Sequence, residues 1–244
     1  MNTKFDLFLF LLFFSIINSK ENLKLVLIGE TGVGKSQLGN FILRQERFNV
    51  GHGGNSETKS IQEEKDYIEK LNIDITIVDT QGFNDRETDD NKIMKNLISK
   101  FTEDKSIDGI ILVCSWTKSR ISKKDIELIE KLKEIFGEDI LKQRLKVIYT
   151  NRSIGDLFKE EKFKEKENIN TAIEFLNKLV TEKDIIFVNS YNIPSNVELF
   201  YPEIIKILES FNDIKRKYGS MDNELLKKKL KFKIDLKIKE FKKK

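Results

Sequence analysis

The sequence contains few residues that bind metals through nitrogen or sulfur, and few that interrupt helices. Its 244 residues include one Cys, one His, two Pro and 12 Gly. The lone cysteine, Cys114, excludes a disulfide framework, and with the lone histidine, His52, it leaves no ligand set for a zinc site. The scarcity of Pro and Gly beside 34 % charged residues indicates long solvated helices, and 39 % hydrophobic residues suffice for a core.

Positive charge is in excess only near the C-terminal end. The formal net charge is +4, and Lys227–Lys244 carries most of the excess. Because the rest of the chain is near neutral, the composition does not imply nucleic-acid binding. The length allows one large or two small domains.

An apolar segment, Met1–Ser19, opens the chain. Lys4 is followed by Leu7–Ile17 (LFLFLLFFSII). This run is shorter than the roughly 20 residues of a membrane span, and it is typical of a signal peptide, with Ser19 as a small residue for cleavage. A signal peptide, a short membrane anchor and a mis-assigned start are the alternatives. The localisation is accordingly cytoplasmic or membrane-associated.

A glycine-rich phosphate loop follows, at Gly29–Ser36 (GETGVGKS). The pattern G-x-x-x-x-G-K-[ST] stands between an apolar run, Leu23–Ile28, and a segment with helical spacing, Gln37–Arg44. In such a loop successive backbone N–H groups and a helix N-terminus surround phosphate. We predict a nucleotide phosphate site in which the lysine contacts the β- and γ-phosphates and the serine binds Mg²⁺; its residues are Gly29, Glu30, Thr31, Gly32, Val33, Gly34, Lys35 and Ser36.

A second strand ends in residues suited to the same site. Ile73–Asp79 (IDITIVD) is apolar at alternate positions, and Thr80-Gln81-Gly82 follows it. An Asp at the carboxyl end of a parallel strand beside a phosphate loop is placed for a second Mg²⁺ contact. The pattern therefore predicts Asp79 as a metal residue and the Gly82 N–H as a γ-phosphate contact.

Strands and helices alternate along the remaining chain, which predicts an α/β fold with a three-layer, mostly parallel sheet. Ile61–Leu71 is interpreted as an edge strand and the charged run Asn84–Lys92 as a switch loop. Gly137 is expected to end the helix that begins at Ser122. Further strands are expected at Gly109–Cys114, Leu145–Tyr149 and Asp184–Val188, and helices at Ile93–Phe101, Ser122–Phe136, Glu165–Val180 and Pro202–Tyr218.

The C-terminal segment Asn223–Lys244 is lysine-rich and ambiguous. Apolar residues alternate with Lys, which favours a strand, while helical spacing also places apolar residues on one side. A basic amphipathic tail can bind anionic lipid or a partner, and a solvated extension is the other interpretation. We divide the chain into an apolar segment (1–19), a nucleotide-binding domain (22–218) and a basic tail (219–244).

Several motifs together resemble the AIG-type (GIMAP/IAN) GTPases, relatives of septins and of the Toc chloroplast-import GTPases. The resemblance covers about Leu23 to Phe211. It is carried by GETGVGKS and by three further stretches, Ser56–Lys59 (SETK), Asp79–Phe83 (DTQGF) and Arg120–Asp125 with the helix end Phe136-Gly137-Glu138.

This resemblance implies a Ras-like P-loop NTPase fold, binding of GTP and GDP with Mg²⁺, and slow hydrolysis. It also implies nucleotide-dependent association of G domains into a homodimer or oligomer, often near membranes. Carried over by position, Thr58 is the switch threonine that binds Mg²⁺, Asp79 holds Mg²⁺ through water, and Gly82 senses the γ-phosphate.

The sequence departs from the family pattern in two parts of the site. Gln81 replaces the usual Pro, and Phe83 occupies the position where Ras-like enzymes keep a water-orienting Gln, which argues against an efficient solitary hydrolase. In the base-reading motif, Ile154 stands where a carboxylate is expected. The guanine-binding candidates are Asn151, Asp156 and Asn189.

The motifs predict a GTP-binding switch with weak GTPase activity and no identifiable catalytic residue. His52 and Arg120 are weak candidates for a role in hydrolysis. One alternative is an interaction module that binds GTP, oligomerises and does not hydrolyse it. A second is an ATP-using P-loop enzyme such as a kinase, which Thr58 and DTQG disfavour.

Overall fold

Short apolar runs alternate with amphipathic segments along the chain, and they fold as strands and helices of one sheet-based domain. The computed structural model describes residues 21–50, 60–83, 89–103, 107–116, 121, 123–151, 162–176, 178–189 and 193–220. The strands are β1 (Glu21–Ile28), β2 (Gln62–Ile68), β3 (Ile73–Asp79), β4 (Gly109–Ser115), β5 (Leu145–Thr150) and β6 (Ile185–Phe187). The helices are α1 (Lys35–Leu43), α2 (Asp90–Glu103), α3 (Lys123–Phe136), α4 (Glu138–Arg144), α5 (Lys162–Phe175) and α6 (Ile193–Tyr218).

The six strands form a single mixed sheet in the order β2-β3-β1-β4-β5-β6. All neighbouring pairs are parallel except β2 with β3, which is antiparallel at the edge. The α/β fold class, the mostly parallel sheet and the edge strand predicted within 61–71 are therefore confirmed. Because β1, β3, β4, β5 and β6 are parallel, their carboxyl ends meet at one edge of the sheet, which is where ligands bind in this class of fold.

Both faces of the sheet are buried at its centre, which explains why β4 and β5 read as nearly continuous apolar runs. On β1, Val26 and Ile28 belong to a core that includes residues of α2, α3 and α5. Leu25 and Leu27 belong to a second core that includes residues of α1 and α6. The three-layer arrangement thus places helices on either side of the sheet.

Three predicted boundaries need correction, whereas the predicted end of α3 at Gly137 is confirmed. Gly137 has φ 90° and its N–H bonds to Lys133 O at 2.9 Å, and α4 begins at the next residue. Asp90 begins α2, so the last three residues of the charged run 84–92 are helical and not loop. The other two concern the helices before and after β6. The helix expected to run to Val180 ends at Phe175, and α6 begins at Ile193, well before Pro202.

The position of Pro202 explains the last of these errors. Proline favours the first turn of a helix, so the sequence pattern indicated a start there. The structure instead holds Pro202 inside α6. A proline within a helix lacks the N–H that would bond one turn back, so the surrounding packing must support this helix against that loss.

A buried ion pair joins the amino ends of β5 and β6. The Lys146 Nζ donates to Asp184 Oδ1, and both residues are nearly inaccessible. The other carboxylate oxygen of Asp184 accepts from the Thr181 N–H at 2.8 Å and from its hydroxyl at 2.6 Å. Burial by itself raises the pKa of Asp184, but the hydrogen bonds from Lys146 and Thr181 outweigh it and keep the pKa below its usual value.

A second polar cluster fastens the end of α6 to the start of β1. The fully buried Asp108 accepts hydrogen bonds at Oδ2 from the Lys24 N–H and from Lys215 Nζ, both at 2.9 Å. Arg144 donates to Asp108 O at 2.9 Å and to Gly219 O at 2.6 Å. These contacts hold the last turn of α6 against the sheet.

Both termini lie outside the described residues. This applies to the signal-like segment 1–19 and to the tail after Ser220, so the proposed division of the chain stays a prediction. Within the part of the chain that the structure describes, no helix is long and apolar enough to cross a bilayer.

The buried pair generates a stability prediction. Lys146→Met should destabilise the domain by about 3 kcal/mol, because it leaves the Asp184 carboxylate buried without its cation. Lys146→Met/Asp184→Asn should recover most of the loss, since Asn keeps an acceptor for Thr181 and carries no charge. Urea unfolding of the two variants measures the difference.

The same pair predicts a pH dependence. Because the folded pKa of Asp184 is lowered, its stabilising contribution is present above the unfolded pKa of about 3.9 and is lost as pH falls through the folded pKa. The gap between the unaltered protein and Lys146→Met should therefore be full at neutral pH and shrink in acid. A gap that is constant with pH would contradict an ionised pair.

Candidate functional site

The loop Gly29–Gly34 connects β1 directly to α1, as predicted. Gly29 and Gly34 have φ of 144° and 91°, which only glycine adopts readily. Gly29 also passes close to β4, because a Cβ there would lie 2.4 Å from Val113 O. The strand, loop and helix therefore meet with the N-terminus of α1 facing the carboxyl edge of the sheet, the arrangement that binds anions in other proteins.

The side chain of Lys35 folds back on the start of the loop. Its Nζ donates to Glu30 O at 2.9 Å and to Gly29 O at 3.3 Å, and the residue is only 6 % exposed. The first turn of α1 thus holds an ammonium group against the loop backbone.

Ser36 and Asp79 meet between α1 and the end of β3. The Ser36 hydroxyl donates to Asp79 Oδ2 at 2.6 Å, and Asp79 is fully buried. The neighbouring Thr80 hydroxyl donates to Leu27 O at 2.7 Å, which fixes the turn after β3. A hydroxyl and a carboxylate in contact form an oxygen donor set that suits Mg²⁺. Thr58, the third predicted metal residue, lies outside the described residues.

The segment after β3 is bonded to the loop along its backbone. The Phe83 N–H donates to Gly29 O at 3.1 Å, and the Thr31 N–H donates to Phe83 O at 2.9 Å. Gly82 lies so close that a Cβ would stand 2.4 Å from Thr31 Cα and 2.3 Å from its hydroxyl oxygen. The Phe83 side chain is buried in the core, so it does not offer a polar group at this position.

The end of β5 supports the other side of the loop. The buried Thr150 hydroxyl donates to Val33 O and lies 3.2 Å from Cys114 O. Asn151 follows in a left-handed conformation (φ 65°), and its Nδ2 donates to Ser115 Oγ at 3.3 Å. Among the described residues, the buried Asn151 Oδ1 has no hydrogen-bond partner.

Of the other two residues predicted to bind the base, the structure describes Asn189 but not Asp156. Asn189 comes directly after Val188, whose N–H donates to Tyr149 O at 2.8 Å, so Asn189 and Asn151 share one edge of the sheet. Asp156 lies outside the described residues, as do His52 and Arg120. Among the described candidates, Asn151 lies beside the loop, because its Oδ1 stands 3.8 Å from where a Cβ of Gly34 would be.

The hydroxyl groups that support the site were not predicted from the sequence. Thr80, Ser115 and Thr150 each stand where a buried strand ends, and each makes a hydrogen bond there. The available signal was a Ser or Thr at the end of an apolar run. Such a residue in isolation is too common to be singled out, because its partner lies on another strand.

An aromatic cluster underlies the same edge. Tyr149 stacks on Phe187 with ring centroids 5.1 Å apart, and Trp116 meets Phe187 edge-on at 5.2 Å. Burial raises the pKa of the Tyr149 phenol, so it stays protonated in any ordinary buffer. These rings give the carboxyl edge a rigid apolar base.

Comparison with known proteins agrees with this architecture. The fold is that of P-loop GTPases: Toc33 from Arabidopsis thaliana, solved with GDP and Mg²⁺, superposes with a TM-score of 0.62 at 15 % identity, over 82 % of this chain and 86 % of that one. A second structure comes from work on the chloroplast translocon components atToc33 and psToc159, for whose GTPase activity dimerization is described as important. It matches with a TM-score of 0.60 at 16 % identity, over 79 % of this chain and 84 % of that one.

The sequence profile of the AIG1 family matches residues 23–232, and the chain belongs to that family. Immune-associated nucleotide-binding protein 13 of Arabidopsis thaliana is 29 % identical over 182 residues, which cover 72 % of this chain and 51 % of the relative. The chain spans about half the length, or less, of such curated relatives. The resemblance inferred from the motifs is thus confirmed.

The contact between Gly82 and Thr31 generates a prediction. Gly82→Ala should displace the segment after β3, because the added methyl group cannot fit against the Thr31 backbone. Amide exchange at Phe83 and Thr31 should speed up at least about fivefold, which corresponds to about 1 kcal/mol for a lost hydrogen bond.

Gly219→Ala is the control for a glycine substitution away from this contact: a Cβ there meets nothing within 4 Å, and the strain from its φ of 70° falls at the end of α6. Unchanged protection of the Phe83 and Thr31 amides in Gly82→Ala would show that the segment does not depend on this close approach.

Proposed function

We propose that this protein is a GTP-binding switch of the AIG/GIMAP type, which binds GTP and GDP with Mg²⁺. The observation that carries the proposal is the 2.6 Å contact of Ser36 with Asp79 beside the phosphate loop. Membership of the AIG1 family and the likeness to Toc33, solved with GDP and Mg²⁺, support it.

The proposed roles follow from the arrangement of the loop. Backbone N–H groups of Gly29–Ser36 surround the phosphates, and Lys35 turns from the loop carbonyls to the β- and γ-phosphates. Ser36 and Thr58 would hold Mg²⁺ directly, and Asp79 would hold it through water. When bound, Mg²⁺ would supply positive charge that neutralises the phosphates. The Gly82 N–H contacts the γ-phosphate and so reports whether the nucleotide is a triphosphate.

Hydrolysis by this site is proposed to be slow. The reaction is in-line attack of water on the γ-phosphate, with Lys35 stabilising the developing charge. The position after Gly82, from which Ras-like enzymes orient the water, is occupied by the buried Phe83. Without a polar group from that position, the attacking water is held poorly in a solitary protomer.

Guanine is the proposed base, read by Asn151, Asp156 and Asn189. The support is that Asn151 stands beside the loop with an amide oxygen that has no partner among the described residues. A buried amide oxygen of this kind is costly to leave unbonded, and a base N–H would satisfy it. Ile154 stands where a carboxylate usually binds the guanine ring, and Asp156 is the carboxylate nearest to that position in the sequence.

G-domain association and membrane association are further parts of the proposal. The dimerization named for atToc33 and psToc159 supports a homodimer or oligomer. The lysine-rich tail 219–244 and the apolar segment 1–19 are the proposed membrane contacts. The alternatives are a non-hydrolysing GTP-binding scaffold and, third, an ATP-using P-loop enzyme.

Two substitutions test the nucleotide site. Lys35→Ala should weaken GTP binding at least about 30-fold, corresponding to roughly 2 kcal/mol for a lost charged contact. Ser36→Asn should remove the dependence of GTP binding on Mg²⁺. Fluorescent-GTP titrations measure both, and circular dichroism checks that the sheet stays folded.

Lys70→Ala is the control, because Lys70 is exposed on the connection after β2, away from the loop. If Lys35→Ala or Ser36→Asn binds GTP like the unaltered protein, the proposed phosphate site is wrong.

Protein concentration separates the switch from the scaffold. If association supplies what a solitary protomer lacks, GTP turnover per protomer should rise steeply with concentration. A steady-state phosphate-release assay over a wide concentration range measures this. Turnover that stays flat and near zero would instead favour the non-hydrolysing scaffold.

A further inference from the structure

A cavity of about 700 Å³ lies at the amino ends of β5 and β6, opposite the phosphate loop. It is lined by α4, by the connection between α5 and β6, and by the second half of α6. The edge is separate from the proposed nucleotide site, because Lys146 lies at the amino end of β5 in the cavity, whereas Thr150 lies at its carboxyl end against the loop.

Lysines from three parts of the fold converge on this cavity. Six lysines and three carboxylates line it, a net charge of +3. The carboxylates are Asp184, Glu209 and Asp213, and the lysines are Lys142, Lys146, Lys178, Lys183, Lys206 and Lys217.

Half of these lysines already have a carboxylate partner. Lys146 pairs with Asp184 at the floor of the cavity. Lys142 and Lys206 pair at 2.7 and 2.9 Å with Glu138 and Glu203, which do not line the cavity. These three lysines therefore contribute little uncompensated charge.

The other three, Lys178, Lys183 and Lys217, form what we name the lysine triad. Within the described residues, none of the three has an ion-pair partner in this structure. Two lining carboxylates, Glu209 and Asp213, remain to balance these three charges, because Arg216, 3.7 Å from Asp213, already pairs with Glu21 at 2.8 Å. The triad thus leaves an excess of positive charge at the cavity.

Hydrogen bonds and helices fix the backbone that carries the three lysines. Lys178 has φ 59°, and its N–H donates to Ile173 O at 2.9 Å, which closes the end of α5. Lys183 belongs to the short helix Glu182–Asp184, capped by the hydrogen bonds between Thr181 and Asp184. Lys217 lies on the last turn of α6, its Nζ 5.0 Å from the Tyr218 ring centroid. Three cations are therefore held on fixed elements around one concavity.

We propose that this cavity binds a ligand carrying two or more phosphate groups. Its volume is in the range of small-molecule sites, and lysine ammonium groups bind phosphates as point charges. Ser210 and Gln143 in the lining add neutral donors. The ligand is either a soluble phosphorylated molecule or the headgroup of an anionic lipid. A lipid source is included because the basic tail, a proposed membrane contact, follows α6 directly in the sequence. The test therefore covers both sources.

The test uses the full chain with excess GDP and Mg²⁺, added to occupy the proposed nucleotide site. The probes are soluble inositol 1,4,5-trisphosphate and phosphatidylcholine vesicles containing phosphatidylinositol 4,5-bisphosphate, which present the same headgroup. The cavity variant is Lys178→Gln/Lys183→Gln/Lys217→Gln. The control, Lys65→Gln/Lys70→Gln/Lys95→Gln, removes the same charge from exposed lysines of β2, the connection after it, and α2.

The cavity variant should bind at least about tenfold more weakly than the control, since each lysine near an anionic group is worth about fivefold in affinity. Selective loss with the soluble probe assigns a soluble ligand, and selective loss with vesicles alone assigns a lipid surface. Equal weakening in the two variants, or no binding of either probe by the unaltered protein, would overturn the proposal. Unchanged thermal unfolding of both variants controls for folding.

Discussion

The hydrogen bond from Ser36 to the buried carboxylate of Asp79 is the contact on which the site depends. It joins the first turn of α1 to the carboxyl end of β3 at 2.6 Å. A fully buried carboxylate must be hydrogen-bonded or paired, so this contact constrains how α1 and β3 approach each other. The segment from Thr80 to Phe83 then has little freedom, because it begins at this fixed point and ends bonded to Gly29 and Thr31.

The two edges of the sheet differ in how their polar groups are used. At the carboxyl edge, threonine hydroxyls donate to backbone carbonyls of the loop and of β1, and the Asn151 amide donates to the Ser115 hydroxyl. At the amino edge, two ion pairs close the fold: the buried pair of Asp184 with Lys146, and the part-buried pair of Asp108 with Lys215. The contacts at the carboxyl edge shape a ligand site, so breaking one should alter that site. The ion pairs at the amino edge stabilise the domain, so breaking one should lower its stability.

The sequence predicted the elements whose signal is local. GETGVGKS between Leu23–Ile28 and an amphipathic segment, and IDITIVD before a turn, were placed correctly because strand period and glycine chemistry act within a few residues. The start of α6 was predicted wrongly at Pro202, because tertiary packing supports a helix that continues on both sides of this proline. The bond of Thr150 to Val33 spans 117 residues, and nothing near Thr150 in the sequence points to it. Pairings of this kind depend on strand order, which periodicity does not specify.

The most direct test of the account is competition between guanine and adenine nucleotides for the purified protein in the presence of Mg²⁺. A guanine-binding switch predicts that GDP and GTP displace a fluorescent GTP analogue at concentrations where ADP and ATP do not. That result would also mean that Asn151 and its neighbours still read the base although Ile154 replaces the expected carboxylate. Equal displacement by ATP and GTP would contradict the account and favour a P-loop protein without guanine specificity.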